Sequence, residues 1–312
     1  MSVSPLAPSP YAVLGVTQSA TDADLRRAYR LKLRETHPDT GGHATRFDLV
    51  QRAWEQVGTP EARAAYDSGA AWDGHRDDSP ARPWAPSEPS PRADSSRPRA
   101  RTHGHPGGWW REQYLDLLQE WVGRGATIPN PYDPTLVRSA PLEVRHLLAS
   151  AIAEEDTAVV LADLGIGFTV WNDVQSDPTR GGAGKIDHIV LGPSGLWGIQ
   201  SEDWGDGVST RRGELIGPGI HPDERPMHEL ASRARRFERL AKVRFTGLAI
   251  VIPDDMSPEG VVTLGSVRGA TTFLVQRTRL AHLIGTRPAG PAFGGTDLFE
   301  VRTRVQSAAR FV

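Results

Sequence analysis

Apolar residues recur every three or four positions between residues 22 and 36, a spacing that predicts an amphipathic helix. The apolar positions share one face, which consists of Leu25, Ala28, Tyr29 and Leu33. The opposite face is cationic and carries Arg27, Arg30 and Arg34. Thr21 and Asp24 have the spacing of a capping box, with Asp in place of the usual Glu. The helix is therefore expected to have one buried side and one charged side.

The same periodicity returns in "ATRFDLVQRAWEQV", where it predicts a second helix with an apolar face. That face consists of Phe47, Val50, Trp54 and Val57. Gly58 stands where a C-terminal cap belongs, and Thr59 with Pro60 begins a short further helix. Two helices packed face to face form a hairpin, and "HPD", residues 37–39, begins the turn at its tip.

The pattern after residue 109 differs, because short alternating apolar runs lie between helical stretches. Strands are predicted at "GFTVWNDV", "KIDHIVLG", "GLWGIQS", "TGLAIVIP" and "TTFLVQ". Helices are predicted at "WWREQYLDLLQEWV", around "PLEVRHLLASAIAEEDTAVVLADLG" and at "PMHELASRARRFERLAKV". "GPSG", residues 192–195, predicts a hairpin between two of the strands. The region is expected to be an α/β layer fold with a mixed sheet.

Composition separates these two parts. Residues 68–108 contain no Val, Ile, Leu, Met or Phe and are rich in Pro, Ser and Arg, so they cannot form a core. The predicted organisation is a helical domain at 10–67, a disordered linker at 68–108 and an α/β domain at 109–312. A random coil of this length reaches roughly 35 Å.

Charge and cysteine content exclude several classes of function. The net charge of −2 favours no global attraction to nucleic acid or membrane, so an electrostatic partner would be bound by a local patch. The chain has no cysteine, which excludes disulfides, thiolate zinc sites and thiol catalysis and fits a reducing compartment. No signal peptide or membrane span is apparent. A cytoplasmic location without membrane contact is expected.

The helical part resembles the J-domain of DnaJ-type co-chaperones over its whole length. The resemblance rests on five segments in the family's order and spacing: "PYAVLGV", "LRRAYR", "HPD", "RFDLVQRAW" and "TPEARAAYD". It implies that residues 10–67 bind a DnaK-family chaperone and stimulate its ATP hydrolysis. The chain lacks the Gly/Phe-rich segment and the cysteine repeats of full-length DnaJ proteins, so it is not expected to hold unfolded clients in their way.

The implied chaperone-binding residues are His37, Pro38, Asp39, Arg26, Arg27 and Arg30. Pro38 restricts His37 to extended backbone geometry, and Asp39 can accept a hydrogen bond from a partner arginine. Taken singly, the arginine face is typical of a solvated helix surface and the His-Pro pair of an ordinary turn. Leu31 precedes Lys32 where many family members have a basic residue followed by leucine, so the basic stripe could be shifted in register.

The α/β part resembles the nuclease-related domain NERD, a branch of the PD-(D/E)XK restriction-endonuclease-like fold. The resemblance covers about residues 147–284 and rests on "AEEDTAVVLADLGIGFTVWNDV" and "IDHIVLGPSGLWGIQSEDW". In active relatives a helix Glu, the Asp after Ile and an acidic-x-Lys tripeptide hold a divalent metal and activate water against a phosphodiester. The matching positions here are Glu154, Asp187, Gln200 and Glu202.

Two of these four positions have the wrong charge for that chemistry. A hard cation needs two or more carboxylates, and a lysine beside them stabilises charge on the attacked phosphate. Gln200 is neutral where an acid belongs, and Glu202 is acidic where Lys belongs. Alternation along the two strands places Lys185, Asp187 and Ile189 on one face and lets Asp187 approach Gln200. Glu202 could replace the lost carboxylate and Lys185 could act as a migrated lysine.

The sequence therefore predicts a co-chaperone whose J-domain acts on a DnaK-family partner and whose degenerate nuclease-like domain binds a protein or nucleic acid target. This prediction includes no catalytic residue, no cofactor and no metal. The alternative is a metal-dependent nuclease, or a nucleic-acid-binding protein, regulated through its J-domain. Only that alternative requires Mg²⁺.

Overall fold

A computed structural model of the chain describes residues 4–37, 44–67, 84–86, 98–177, 184–286 and 295–312. The chain forms two compact units. The first comprises Met1–Pro86 and Leu118–Arg145, and the second comprises Ser87–Leu117 and His146–Val312. The prediction of an N-terminal helical domain followed by an α/β domain is confirmed.

The N-terminal part of the first unit is helical throughout its described length. Its helices are α1 (Pro10–Leu14), α2 (Asp22–Thr36), α3 (Ala44–Val57) and α4 (Pro60–Asp67). Thr21 caps α2 as predicted, because its hydroxyl oxygen accepts a hydrogen bond from the amide of Asp24 at 3.2 Å. The Thr21 hydroxyl also donates to the Asp24 carboxylate at 2.7 Å, so the reciprocal contact joins the two side chains.

Two aromatic pairs show that α2 and α3 run antiparallel. Tyr29 stacks on Trp54 with ring centroids 4.4 Å apart, and His37 meets Phe47 edge-on at 5.2 Å. Moving along α2 from Tyr29 to His37 thus moves back along α3 from Trp54 to Phe47. The predicted apolar faces form the core of this unit with Leu14 and Tyr66. The predicted helical hairpin is therefore confirmed.

A segment that the sequence assigns to the α/β domain belongs to the first unit instead. Residues 118–145 include the end of α5 (Gly108–Val122) and α6 (Pro134–Ser139). The guanidinium of Arg138 on α6 lies 4.5 Å from the centroid of the Tyr66 ring, a cation–π contact within this unit. Glycine and proline interrupt residues 123–141, so the apolar pattern alone did not indicate where this segment packs.

The second unit contains a seven-stranded mixed sheet in the order β1-β2-β3-β4-β7-β9-β8. These strands are β1 (Arg101–His103), β2 (Thr169–Gln175), β3 (Lys185–Gly192), β4 (Gly195–Ser201), β7 (Gly247–Ile252), β8 (Val261–Val267) and β9 (Ala270–Gln276). A separate hairpin is formed by β5 (Ser209–Arg211) and β6 (Glu214–Ile216). The pairs β1–β2, β4–β7 and β7–β9 are parallel, and the others are antiparallel. The predicted mixed sheet is confirmed.

Helices cover both faces of this sheet. They are α7 (Leu142–Ala162), α8 (Pro226–Ala241), α9 (Leu280–Thr286) and α10 (Gly295–Ala308). Phe237 of α8 and Val305 of α10 pack in one apolar cluster, whereas Leu161 of α7 and Leu283 of α9 pack in another. The central strands are buried on both faces, which explains their nearly continuous apolar sequences.

The predicted "GPSG" hairpin joins β3 to β4. Gly192 pairs with Gly195, which leaves Pro193 and Ser194 as a two-residue loop. Gly195 has φ +119°, and a Cβ there would lie 2.2 Å from Oγ1 of Thr246. Both the backbone conformation and the lack of space require glycine.

The predicted linker is wrong for residues 98–108. Arg101–His103 forms the edge strand β1, and the carbonyl of His103 accepts a hydrogen bond from Nδ2 of Asn172 at 3.1 Å. Trp84 is also buried, at 2% exposure. An edge strand is held by backbone hydrogen bonds and needs few apolar side chains, so composition did not reveal it. The remaining predicted linker, 68–83 and 87–97, lies outside the described residues.

Among the helices that the structure describes, none combines the length and apolar character needed to cross a membrane.

Candidate functional site

The first candidate site is the cationic face of α2. Arg26, Arg27 and Arg30 are exposed along it. Arg27 pairs with Asp24 through Nη2 at 2.7 Å, and Nε of Arg30 donates to the carbonyl of Arg26 at 3.2 Å. Within the described ranges, no carboxylate lies at ion-pair distance from Arg26 or Arg30. Two guanidinium groups are thus available to an acidic partner.

Lys32, the basic residue after Leu31, does not extend the surface formed by Arg26, Arg27 and Arg30. Lys32 is half-buried and its ammonium pairs with Glu35 at 2.8 Å, whereas Leu31 is 55% exposed. The departure from the family pattern therefore leaves an apolar side chain on the surface beside Arg30. The positive charge of Lys32 is largely neutralised by its neighbour.

His37 lies at the end of α2, directly after its last residue, Thr36. It is the C-cap residue, with φ −63° and ψ 129°, and is half-buried with its ring edge-on to Phe47. The extended backbone agrees with the restriction that Pro38 imposes. Pro38 and Asp39 lie outside the described residues. The structure thus places His37 at the tip of the hairpin, one residue beyond the cationic helix.

The second candidate site is a buried ionic cluster around the ammonium group of Lys185. Its Nζ contacts carboxylate oxygens of Glu154 and Asp173 and lies 3.2 Å from Oδ1 of Asp187. All four side chains are at most 2% exposed. The Trp110 ring centroid lies 5.6 Å from Nζ and adds a cation–π contact. One buried cation therefore sits among three carboxyl groups.

Three separate elements supply the four charged side chains of this cluster, and a fourth element holds one of them by a backbone hydrogen bond. Glu154 is on α7, Asp173 on β2, and Lys185 with Asp187 on β3. Asp187 is also held by the amide of Ser201 on β4, which donates to Oδ2 at 2.7 Å. Asp173 has φ +53°, a conformation that a non-glycine residue rarely adopts in a strand. The backbone of β2 is thus distorted where Asp173 meets the ammonium.

The predicted alternation along β3 is wrong beyond Asp187. Ile186 and Ile189 belong to one apolar cluster on the α8 face, although a regular strand would place them on opposite faces. Asp173 and Asp187 are the positions at which the β2–β3 pairing is interrupted, between Asn172–His188 and Val174–Ile186. Asp187 and Lys185 can therefore both meet Glu154 of α7, while Ile189 packs on the α8 side.

Burial and mutual repulsion set the protonation of the cluster. Burial raises the pKa of Glu154 well above its ordinary value, helped by Asp187 and Asp173 and opposed by Lys185. Burial alone would lower the pKa of Lys185, but Asp187, Glu154 and Asp173 outweigh it and raise that pKa. The ammonium is therefore charged at neutral pH, and the same burial favours the protonated form of Glu154.

The residues of this cluster do not fit a divalent cation while Lys185 is present. Oxygens of all three carboxyl groups converge on the ammonium, which takes the central position that a metal ion would need. Among the described His, Cys, Asp and Glu side chains, no group of three is arranged to hold a metal ion. One oxygen of each carboxyl group, Oε1 of Glu154, Oδ2 of Asp173 and Oδ1 of Asp187, makes no hydrogen bond within the described part of the chain.

The other two predicted positions have different partners from Asp187. Oε1 of Gln200 accepts a hydrogen bond from Nη1 of Arg233 on α8 at 2.8 Å. Burial and the Asp187 carboxylate raise the pKa of the half-buried Glu202 to about 8, against the opposing effect of Arg233. Glu202 is thus mostly protonated at neutral pH and is a poor replacement for a lost metal ligand.

Comparison with known proteins identifies both parts of the chain. Residues 9–67 match the model of the DnaJ domain, and residues 149–252 match the model of the nuclease-related domain, NERD. The chain joins a DnaJ domain to a nuclease-related domain. The cationic face and His37 belong to the first, and the Lys185 cluster belongs to the second.

The curated relatives match through the DnaJ domain. DnaJ protein homolog 2 of Allium porrum is 44% identical over 57 residues, which are 18% of this chain and 14% of the relative. The chaperone protein DnaJ of Thermosynechococcus vestitus is 43% identical over 60 residues, 18% of this chain and 16% of the relative. A tetratricopeptide repeat and J domain-containing co-chaperone of Mycosarcoma maydis is 41% identical over 59 residues, 19% of this chain and 10% of the relative. The chain thus spans less than a fifth of each relative's length. No solved structure matches the chain.

Three residues of the second unit contribute to this site without having been predicted. They are Asp173, Trp110 and Arg233. Asp173 interrupts the apolar run of β2 with a charged residue that a fully buried strand tolerates only when it is paired, and this was the available signal. Trp110 and Arg233 come from distant helices and carry no local signal.

A buried histidine beside the cluster should make the nuclease-related domain sensitive to acid. His188 is fully buried between Oδ1 of Asn172 at 2.8 Å and Oγ of Ser201 at 3.2 Å. Burial lowers its pKa from 6.5 to about 3, with Lys185 adding to this and Asp187 opposing it. Between these values the unfolded state binds a proton that the folded state does not, so stability falls as the pH falls from 6.5 toward 3.

We expect this residue to cost the domain roughly 1.5 kcal/mol between pH 6.5 and pH 5. The free energy of unfolding, measured by urea denaturation at both pH values, should fall less in His188→Gln than in the parent chain. His282→Gln, an exposed substitution in the same domain, should leave the pH dependence unchanged. Equal pH dependence in His188→Gln and the parent would contradict the assignment.

Proposed function

We propose that the chain is a co-chaperone whose DnaJ domain binds a DnaK-family chaperone and stimulates its ATP hydrolysis. The observation that carries the proposal is the end of the α2–α3 hairpin, where His37 follows directly on a helix face with unpaired arginines. The printed names of the relatives describe chaperones and a co-chaperone, which supports the same role. The direct test is the rate of ATP hydrolysis by a DnaK chaperone with and without this protein.

Electrostatics would bring the partners together, and the tip of the hairpin would complete the contact. The unpaired guanidinium groups of Arg26 and Arg30 can steer an acidic surface toward α2, an attraction that salt weakens. The His37 ring is held edge-on against Phe47, and Asp39 is proposed to accept a charge-assisted hydrogen bond from the partner. Because Arg26 and Arg30 lie one helical turn apart on α2 and His37 follows its last residue, a single surface can engage them together.

The nuclease-related domain is proposed to localise the co-chaperone without hydrolysing nucleic acid. Lys185 occupies the centre of the carboxyl cluster, Gln200 is engaged by Arg233, and Glu202 retains a proton near neutral pH. These features favour a domain that keeps the fold and binds a protein or nucleic acid target. A cytoplasmic location is part of the proposal, because the chain contains no cysteine and DnaK-type chaperones work on ATP.

A metal-dependent nuclease is the second candidate, and the buried oxygens of Glu154, Asp173 and Asp187 that make no hydrogen bond to a described residue favour it. We expect incubation of plasmid with the protein and Mg²⁺ or Mn²⁺ to produce no more nicking than the Asp187→Ala variant does. The reason is that a buried ammonium, rather than a cation of higher charge, already neutralises the carboxyl groups. Nicking by the parent chain that disappears in Asp187→Ala would establish the nuclease and overturn the non-hydrolytic role.

A further inference from the structure

A cationic cleft lies in the second unit, away from the Lys185 cluster. It has a volume of about 320 Å³ and is bounded by the β5–β6 hairpin, α8 and the β8–β9 hairpin. Each of these elements contributes one arginine, Arg212, Arg268 and Arg235. The only acid that lines it among the described residues is Glu214, so three arginines face one carboxyl group in the lining.

Two of the arginines occupy hairpin-loop positions with positive φ, where other residue types are usually found. Arg212 and Gly213 form the two-residue loop between the paired residues Arg211 and Glu214, and Arg268 and Gly269 form the loop between Val267 and Ala270. Arg212 has φ +52° and Arg268 has φ +53°, and the following glycines have φ +79° and +92°. Such hairpin loops favour Asn, Asp or Gly at the first position.

The chain thus places arginine in a disfavoured conformation twice, and both residues line the same cleft. A backbone outlier of this kind is a reason to look for a function, because asparagine would adopt the same left-handed conformation at a lower energetic cost. The backbone strain indicates that arginine is present at these two positions for its guanidinium group and not for the conformation of the loop.

The three guanidinium groups have N–H donors without a partner among the described residues. Within the described part of the chain, Arg212, Arg235 and Arg268 make no ion pair, whereas Arg233 and Arg236 on the same helix as Arg235 pair with Glu229 and Asp177. Glu214 does not neutralise them by a salt bridge: its Oε1 accepts from the amide of His228 at 2.9 Å, and its Oε2 is buried without a hydrogen bond.

The chemistry of the lining indicates the class of ligand. Guanidinium groups bind phosphate oxygens through paired hydrogen bonds, and the polar residues Ser232 and Ser266 line the same cleft. Met227, Ala231 and Leu264 provide apolar surface for a non-ionic part of the ligand. The volume is at the lower end of the range for small-molecule sites, which are about 300–1,000 Å³.

The cleft is separate from the Lys185 cluster. It lies beside β8 and β9 on the face covered by α8, whereas the cluster lies between β2, β3 and α7. Strands β4 and β7 separate β3 from β9, a distance of roughly 14 Å at ordinary strand spacing. A small ligand in the cleft would therefore not reach the carboxyl groups.

We propose that this cleft binds a small organic phosphate, whose phosphate oxygens are held by Arg212, Arg235 and Arg268. The site is independent of the co-chaperone role, since no residue of the DnaJ domain contributes to it. A phosphate group shared among three guanidinium groups makes several charge-assisted hydrogen bonds, and removing one arginine removes the strongest of them.

The test is calorimetric titration of the full chain with ADP and with inorganic pyrophosphate as probes. Both should bind, adenosine should bind at least about tenfold more weakly than ADP, and Arg235→Gln should weaken ADP binding by at least about tenfold. The matched control is Arg239→Gln, an exposed arginine of the same helix outside the cleft, which should bind ADP as the parent does.

The hairpin arginines provide a second readout that a merely structural role would not produce. Arg212→Asn and Arg268→Asn should each lose at least about tenfold in ADP affinity while the melting temperature stays equal or rises, because asparagine tolerates the left-handed conformation. Binding of none of the probes at millimolar concentration would overturn the proposal, as would ADP affinity that survives Arg235→Gln. A duplex oligonucleotide that binds through these arginines when ADP and pyrophosphate do not would replace the small ligand with a nucleic acid.

Discussion

His37→Gln should abolish the stimulation of ATP hydrolysis by a DnaK-family chaperone. The substitution leaves a polar side chain at the end of α2 but removes the imidazole that packs edge-on against Phe47 at the tip of the hairpin. Because the ring is only half-buried, the helices α2 and α3 should stay folded. The measurement is steady-state ATP hydrolysis by the chaperone, with the parent chain, with the variant and with neither.

The matched control is His221→Gln, which changes an exposed histidine in the other domain and should stimulate as the parent does. A circular dichroism melt of each variant would show that lost stimulation is not lost folding. The co-chaperone proposal would be wrong if the parent chain left the ATPase rate unchanged, or if His37→Gln stimulated as strongly as the parent. A double substitution of Arg26 and Arg30 by Gln should instead weaken stimulation most at low salt, where steering is strongest.

Lys185→Met should destabilise the nuclease-related domain by about 3–5 kcal/mol, the cost of leaving buried charges without a partner. Methionine has a similar length and no charge, so the substitution removes the cation while largely preserving volume. Glu154, Asp173 and Asp187 would then face one another in a site that is at most 2% exposed. The measurement is the free energy of unfolding in urea, detected through hydrogen exchange of the β3 and β4 amides. These amides report on this domain alone.

Lys242→Met is the matched control, because Lys242 is exposed at the end of α8 and the change should stay within about 0.5 kcal/mol. If the ammonium stands in the central position of a cation site, Mn²⁺ should restore part of the lost stability in Lys185→Met and have no effect on the parent. Parent-like stability of Lys185→Met would show that the cluster does not depend on the ammonium. Stabilisation of the parent by Mn²⁺ would show that Lys185 does not exclude the metal.

The carboxyl cluster illustrates which part of a site a sequence can predict. Glu154, Asp187, Gln200 and Glu202 follow from residue-by-residue resemblance, and the sequence also places Lys185 beside Asp187. It does not show that Asp173 completes the cluster, because that contact depends on a φ of +53° at one position of β2. Nor does the sequence show that Ile186 and Ile189 pack in one apolar cluster, because regular alternation along β3 predicts opposite faces for them.

Edge elements were harder to predict than central ones for a related reason. β1 and the half-exposed β8 are held mainly by backbone hydrogen bonds at the sheet margins, so their side chains follow no apolar alternation. α6 packs on the first unit although its sequence follows the linker, and nothing local to it specifies that partner.

By itself, the sequence determined the helical hairpin with its cationic face, the buried strands, the β3–β4 turn and the two domain types. Each depends on residues close together in the chain, where periodicity, capping and turn chemistry act directly. Only the tertiary structure decided that Lys185 is enclosed by three carboxyl groups and that three arginines meet in one cleft. The reason is that residues far apart in the chain become neighbours only when the sheet and its helices are assembled.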